Sequence, residues 1–239
     1  MRIRCLIPML AILPWQAPLA GALDLRAAVA SDEIFRGIPQ NNSLTVSLAA
    51  AWRCDNRVYI GGRLLNNRSQ GQGQADTYAG YSQPVNLFGL LQATADAGVS
   101  ASVFGGDRAT ARLADPDYLE AYGSFTVGPL RLGLALSPDY FGTGGAAYRL
   151  SSQLKSPLPL PGLSATAVLG WNGGQGVERL VASRNDDGRG EAYGDYSLSL
   201  VQDLPRAISI YAQAAGTSTK IDGSRAPVFL LGLRWRYGV

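Results

Sequence analysis

The chain has 239 residues, of which 46% are hydrophobic and only 16% charged, a low share of charge for a soluble surface. It contains no histidine, which excludes Ser–His and Cys–His nucleophile pairs, imidazole acid–base chemistry and histidine-ligated metals together. Lysine and arginine number 21 against 18 aspartates and glutamates, too even a balance to hold nucleic acid electrostatically.

The N-terminus reads as an export signal. Arg2 and Arg4 form a short basic region, Cys5 to Trp15 an apolar stretch carrying Pro8 and Pro14, and Ala20-Gly21-Ala22 the small-x-small pattern of a cleavage site. A bilayer-spanning helix needs about 20 apolar residues, so this stretch is too short to be one. The expectation is a cleaved signal peptide over 1–22 and a single domain over 23–239. Cys54 is then the only cysteine of the mature chain, which leaves no internal disulfide and no thiolate metal quartet. No cofactor is implied.

Downstream, apolar residues recur at every second position. Leu44, Val46, Leu48, Ala50 and Trp52 interleave with Thr45, Ser47, Ala49, Ala51 and Arg53; Leu130, Leu132, Leu134 and Leu136 do the same against Arg131, Gly133, Ala135 and Ser137. Alternate strand side chains point to opposite faces, so each such segment has one apolar and one polar or small face. Twelve strands are predicted, over 25–36, 43–53, 58–65, 74–81, 94–104, 118–127, 130–137, 147–154, 163–171, 193–202, 207–216 and 227–238. Few windows carry apolar residues at three-and-four spacing, and no helix is predicted.

The connections alternate in length. Cys54-Asp55-Asn56-Arg57, Gly128-Pro129 and Asp203-Leu204-Pro205-Arg206 are tight turns, whereas 66–73, 105–117, 172–192 and 217–226 are long and rich in Gly, Asn, Asp, Arg and Ser. Short turns on one side and long loops on the other are the asymmetry of a transmembrane antiparallel up-and-down β-barrel. Strands of about 8–11 residues, rising ~3.3 Å each and tilted near 40°, cover an apolar band of about 25 Å. A soluble barrel or sandwich alternates too, but its polar face would carry Lys and Glu where this one carries Gly, Ala and Ser. The final segment alternates Phe229, Leu231, Leu233, Trp235, Tyr237 and Val239. Such a terminal strand resembles the signal by which the barrel-assembly machinery recognises outer-membrane barrels, although that signal usually ends in an aromatic residue.

Ser31-Asp32-Glu33-Ile34-Phe35-Arg36-Gly37-Ile38-Pro39-Gln40 resembles the SDYxFRGxSQ opening of the TorF family of porins. Asp76-Thr77-Tyr78-Ala79-Gly80-Tyr81, Asp117-Tyr118-Leu119-Glu120-Ala121-Tyr122 and Ser137-Pro138-Asp139-Tyr140-Phe141-Gly142 are similar to its later blocks, in the same order. Glu33 stands where the family usually has Tyr, and Pro39 where it usually has Ser. The resemblance implies an outer-membrane barrel in a Gram-negative envelope, surrounded by outer-membrane lipid, with no catalytic residues and no settled solute.

With the apolar face toward lipid, the other face lines the lumen. Arg26, Arg36, Arg53, Arg63, Arg131, Arg149, Arg234 and Arg236 then point inward with Asp32, Asp76, Asp96, Glu120 and Asp195, eight cations to five anions. Arg53, Arg131 and Arg149 have no inward carboxylate in their own strands, which makes them candidates for unpaired charge. Glu33 falls on the lipid-facing parity and is expected at the rim, above the bilayer and beside the 37–43 loop. Barrel lipases with a serine nucleophile need a histidine base, which this chain lacks, and no carboxylate pair is singled out for acid–base work. Asp186-Asp187 reads as a solvated loop, because a Ca²⁺ loop needs more oxygen ligands in order. Gly173-Gly174-Gln175-Gly176 is not read as a phosphate loop, on the ground that no helix follows. The expected function is passive diffusion of small hydrophilic solutes with a weak anion preference. The alternative is a closed structural or adhesive barrel that binds partners through its long loops.

Overall fold

The structure, a computed structural model, describes residues 21–41, 43–54, 56–66, 73–87, 89, 91–105, 116–185, 187–221 and 226–238. The wall is built from β1 (Gly21–Ala30), β4 (Thr45–Cys54), β5 (Val58–Leu65), β6 (Gly73–Leu87), β7 (Leu91–Gly105), β8 (Tyr118–Val127), β9 (Leu130–Ser137), β10 (Ala147–Pro157), β11 (Leu163–Gly173), β12 (Tyr193–Leu204), β13 (Ile208–Thr217) and β14 (Val228–Gly238). Each strand pairs antiparallel with its sequence neighbours, and β1 pairs with both β4 and β14, so the sheet closes into a twelve-stranded barrel. Closure leaves no open edge. Inside it lie a two-stranded hairpin of β2 (Ile34–Phe35) and β3 (Ile38–Pro39), a 3-10 turn at Tyr140–Gly142 and, among the described residues, one helix, α1 (Gln175–Arg184).

The period-two pattern is what the fold turns into a surface. Phe229, Leu231 and Leu169 are 74%, 66% and 63% exposed, and Leu48, Leu64, Leu132, Leu150 and Leu198 face outward with them. A belt of that size is not stable against water and marks a wall that faces lipid. Trp235 and Tyr237 stack at its short-turn end, ring centroids 5.9 Å apart, as in the aromatic girdle of a membrane barrel. Lipid takes the place of a hydrophobic core for the wall. The buried apolar cluster instead lies at the long-loop end, where Ile38, Phe104, Tyr118, Tyr140, Phe141, Val177, Leu180, Val181 and Tyr193 pack together.

Several boundaries differ from the sequence reading. The first strand stops at Ala30 instead of continuing to 36, because the chain turns inward there. The expected strands 74–81 and 94–104 extend into Gly73–Leu87 and Leu91–Gly105, and the two pair in register up to Leu87 and Leu91. A helix is present where none was predicted: Val177, Leu180, Val181 and Arg184 sit at three-and-four spacing, and all are buried. The ground for dismissing Gly173–Gly176 was therefore wrong, since α1 does follow; the Gly176 N–H, however, already donates to the Ala146 carbonyl at 2.9 Å. The expected signal peptide lies mostly outside the described residues, and Gly21 and Ala22 belong to β1. Asp186 also lies outside them, while Asp187 accepts from the Arg189 N–H at 3.0 Å.

Candidate functional site

The upper lumen is crossed by the first loop. Asp32 closes its base, its Oδ1 accepting from the backbone N–H groups of Glu33 at 2.7 Å and Asn41 at 2.8 Å. Arg36 and Gly37 form the two-residue turn between β2 and β3, with φ of 51° and 80°. Positive φ at both positions is the type I′ geometry, which favours Asn or Gly at the first. Arginine in the left-handed region costs about 1 kcal/mol or more and persists only when its surroundings hold it there. Here they do: the Arg36 guanidinium donates to Glu120 at 2.5 Å and to the Tyr140 hydroxyl at 3.0 Å, and lies 4.9 Å from the Phe35 ring centroid. Burial opposes its charge, but Tyr140, Glu120 and Tyr118 more than offset this and raise its pKa. Burial also pushes the Tyr140 hydroxyl up, to about 12.

These contacts reach different walls. Arg36 is tied to Glu120 on β8, whereas Gly37 is so close to β13 that a Cβ there would strike the Gly216 carbonyl. In the strand order β8 and β13 lie nearly opposite each other. A third tether runs to β5 and β6, where Arg63 pairs with Glu33 at 2.8 Å and with Asp76 at 3.1 Å. The hairpin thus spans the lumen. Glu33 lies beside the 37–43 loop as expected, its carbonyl accepting from the Gln40 N–H at 2.8 Å, and the inward turn after Ala30 brings its side chain to Arg63. Arg36 and Asp32 were expected along the pore wall; they are instead buried parts of the loop that crosses it.

Pairing explains most of the remaining charges. Arg149 was a candidate for an unpaired cation, yet it binds Asp195 at 2.8 Å across the intervening β11. Gly170 makes the crossing possible: a Cβ there would collide with both Asp195 and the Arg149 guanidinium. Arg26 and Arg236 share Asp24, at 2.6 and 2.8 Å. Asp24 was missed because the first segment was begun at 25, although the Asp24-x-Arg26 alternation already places both on one face. Arg234 lies over the Tyr211 ring. With Asp24 and Glu33 added to the expected set, eight arginines stand against seven carboxylates among these described residues.

The lower lumen is open. A cavity of about 570 Å³ is lined by Arg26, Arg53, Arg131, Arg236, Asp24, Asp96 and the rings of Tyr59, Tyr78 and Tyr122. Among the described residues no carboxylate pairs with Arg53, and Arg131 bonds only the Ser124 hydroxyl, at 3.0 Å. Asp96 accepts from the Tyr59 hydroxyl at 3.0 Å, and Tyr59 lies 2.8 Å from the Tyr122 hydroxyl. Since the Tyr59 proton is on the Asp96 side, Tyr122 donates to Tyr59. Four guanidiniums thus face two carboxylates, both already engaged.

Residues 20–233 match a family model described as a bacterial protein of unknown function, Gcw_chp. The chain belongs to that family. A comparison with curated protein sequences finds no match. Among solved structures, this Gcw_chp protein is similar to the KdgM porin, at 12% identity and a TM-score of 0.56 over 90% of this chain and 98% of that one. It is similar also to the NanC porin, at 9% identity and a TM-score of 0.54 over 89% of this chain and 98% of that one. At such identities the likeness is one of fold: a closed antiparallel barrel of the same architecture.

Proposed function

We propose that this Gcw_chp protein is an outer-membrane channel through which small hydrophilic solutes diffuse passively, with a weak preference for anions. The observation that carries the proposal is the contrast between the two faces of the wall: an outward belt of exposed Leu, Phe and Trp, and a lumen lined with Arg, Asp and Tyr around an open cavity. Likeness to two porins in fold, and the resemblance of Ser31–Gln40 to the opening of TorF-family porins, support it. The anion preference rests on Arg53 and Arg131, which no carboxylate among the described residues pairs with, and it should grow at low salt as the Debye length lengthens. Planar-bilayer recording of the refolded protein is the test, and a membrane showing only background conductance would refute the channel.

One observation favours the second reading, a closed barrel that is structural or adhesive. Tyr140, Val177, Val181 and Tyr193 are all at most 1% exposed in the upper lumen, so part of the bore is packed as tightly as a protein interior. Under that reading the same recording gives no conductance even after the first loop is released.

A further inference from the structure

We infer that the lower lumen is a binding site for small ring-bearing carboxylates. This deepens the channel proposal and rests on it for the route by which such a solute arrives. The site has a paved wall. Tyr59 pairs in register with Gly80, Tyr78 with Gly61 and Tyr122 with Gly98. A Cβ at any of those glycines would collide with the ring opposite, so each ring covers the bare backbone of its glycine while it lines the cavity. Tyr59 and Tyr122 lean toward each other over Gly80 and Gly98, locked by the hydroxyl contact and by Asp96, and the Tyr78 ring centroid is 6.1 Å from that of Tyr59. The three rings cover glycines of the neighbouring strands β5, β6 and β7 and form an aromatic platform, Tyr59 and Tyr78 tilted 57° to each other, and aromatic faces and edges attract other rings.

Cations flank the platform on both sides. Arg53 is the cross-strand partner of Tyr59, and Arg131 lies on β9 beside the strand of Tyr122. Each presents a planar donor fork suited to a carboxylate, and neither is neutralised by an acid among the described residues. The cavity of about 570 Å³ is in the size range of small-molecule sites. A ring with one carboxylate matches both features: the ring on the tyrosines, the charge in a fork at the edge. A small anion without a ring would use only the charge.

Isothermal titration of the folded protein in detergent, with benzoate, acetate and benzyl alcohol as probes, tests this without depending on conductance. Benzoate should bind at least about tenfold more tightly than either of the others. R53S/R131S should abolish the preference over benzyl alcohol, and R53K/R131K, which keeps the charge but loses the fork, should fall between. Y78L leaves the Tyr59–Tyr122–Asp96 contacts in place and should reduce the preference over acetate. Far-ultraviolet circular dichroism checks that each variant retains its barrel. Equal affinities for benzoate and acetate would overturn the proposal. Selective binding by a protein that gives no bilayer conductance would sink the channel reading alone; conductance without selectivity would sink the site alone.

Discussion

The hairpin across the lumen should be released by removing one charge. Glu120 and Arg36 are 12% and 7% exposed, and their 2.5 Å contact is the closest ion pair between the loop and the wall among the described residues. Breaking a buried pair from one side leaves an uncompensated charge and costs about 3–5 kcal/mol; E120Q keeps an acceptor for the guanidinium, so the lower figure applies. About 3 kcal/mol is more than a hundredfold in the balance between the seated and released loop. The other tethers are weaker. Arg63 is 33% exposed and its partners Glu33 and Asp76 are 23% and 19% exposed, so solvent screening holds each pair to about 1 kcal/mol or less. Burial of Ile38, at 2% exposure, contributes about 2 kcal/mol toward seating. Relief of the positive φ at Arg36 returns about 1 kcal/mol to the released state. The latch is thus centred on one pair.

Single-channel recording reads the consequence: E120Q should show a larger unit conductance or a larger open fraction than the wild type. R36Q/E120Q should move back toward wild type, because a neutral pair no longer strands a charge, and the two changes should therefore be non-additive. Wild-type conductance in E120Q, together with additive effects in the double variant, would refute the assignment of this pair as the latch.

Alkaline pH should have a similar effect through Tyr140. Its pKa is raised to about 12 in the folded chain, so the neutral hydroxyl contributes stability that is complete below the free tyrosine value of about 10 and is lost as pH rises through 12; conductance should climb over that window, and a flat profile counts against it. G170A should destabilise the barrel by about 1–3 kcal/mol in urea unfolding, since the added methyl must displace the Arg149–Asp195 bridge. R53S/R131S should shift the reversal potential in a salt gradient toward cations. Each charge, at about 6 Å from a passing ion in water, is worth about 0.7 kcal/mol before screening, ~threefold in local anion concentration. A wild-type channel that already prefers cations would contradict the facing assigned to these arginines.

The wall was legible in the sequence because a single physical rule writes it. Lipid outside and polar lumen inside impose a strict period of two on segments such as Leu130–Ser137 and Leu163–Trp171, and the strands appear where the period does. The same rule hid the plug. Phe35 and Arg36 keep the parity of β1 past Ala30, apolar at odd and polar at even positions, as if the strand went on. In the structure they alternate between an apolar cluster and a buried ion pair, not between lipid and water. Parity alone cannot tell those surroundings apart. The helix was obscured differently: Val177, Leu180 and Val181 have helical spacing, but over 10 residues hemmed by glycines and interrupted by Glu178 and Arg179. The Arg149–Asp195 pair joins residues two strands apart, so reading one strand at a time cannot find it.

Register is the quantity that was missing, and the glycine content holds a trace of it. Glycine accounts for 29 residues, well above the usual share of about 7%, and β-strands ordinarily disfavour it. Six of these glycines, at 61, 80, 98, 173, 216 and 232, sit directly opposite a tyrosine on the next strand: Tyr78, Tyr59, Tyr122, Tyr148, Tyr196 and Tyr211. In every case a Cβ on the glycine would run into the ring. The ring covers the bare backbone and regains the contact area that the glycine lacks, a pairing that fixes alignment as well as packing. A slip by one residue would move each ring off its glycine and reverse every side chain between lipid and lumen. The glycines that weaken individual strands are therefore part of what sets one strand against the next, and with it which arginines meet which carboxylates inside.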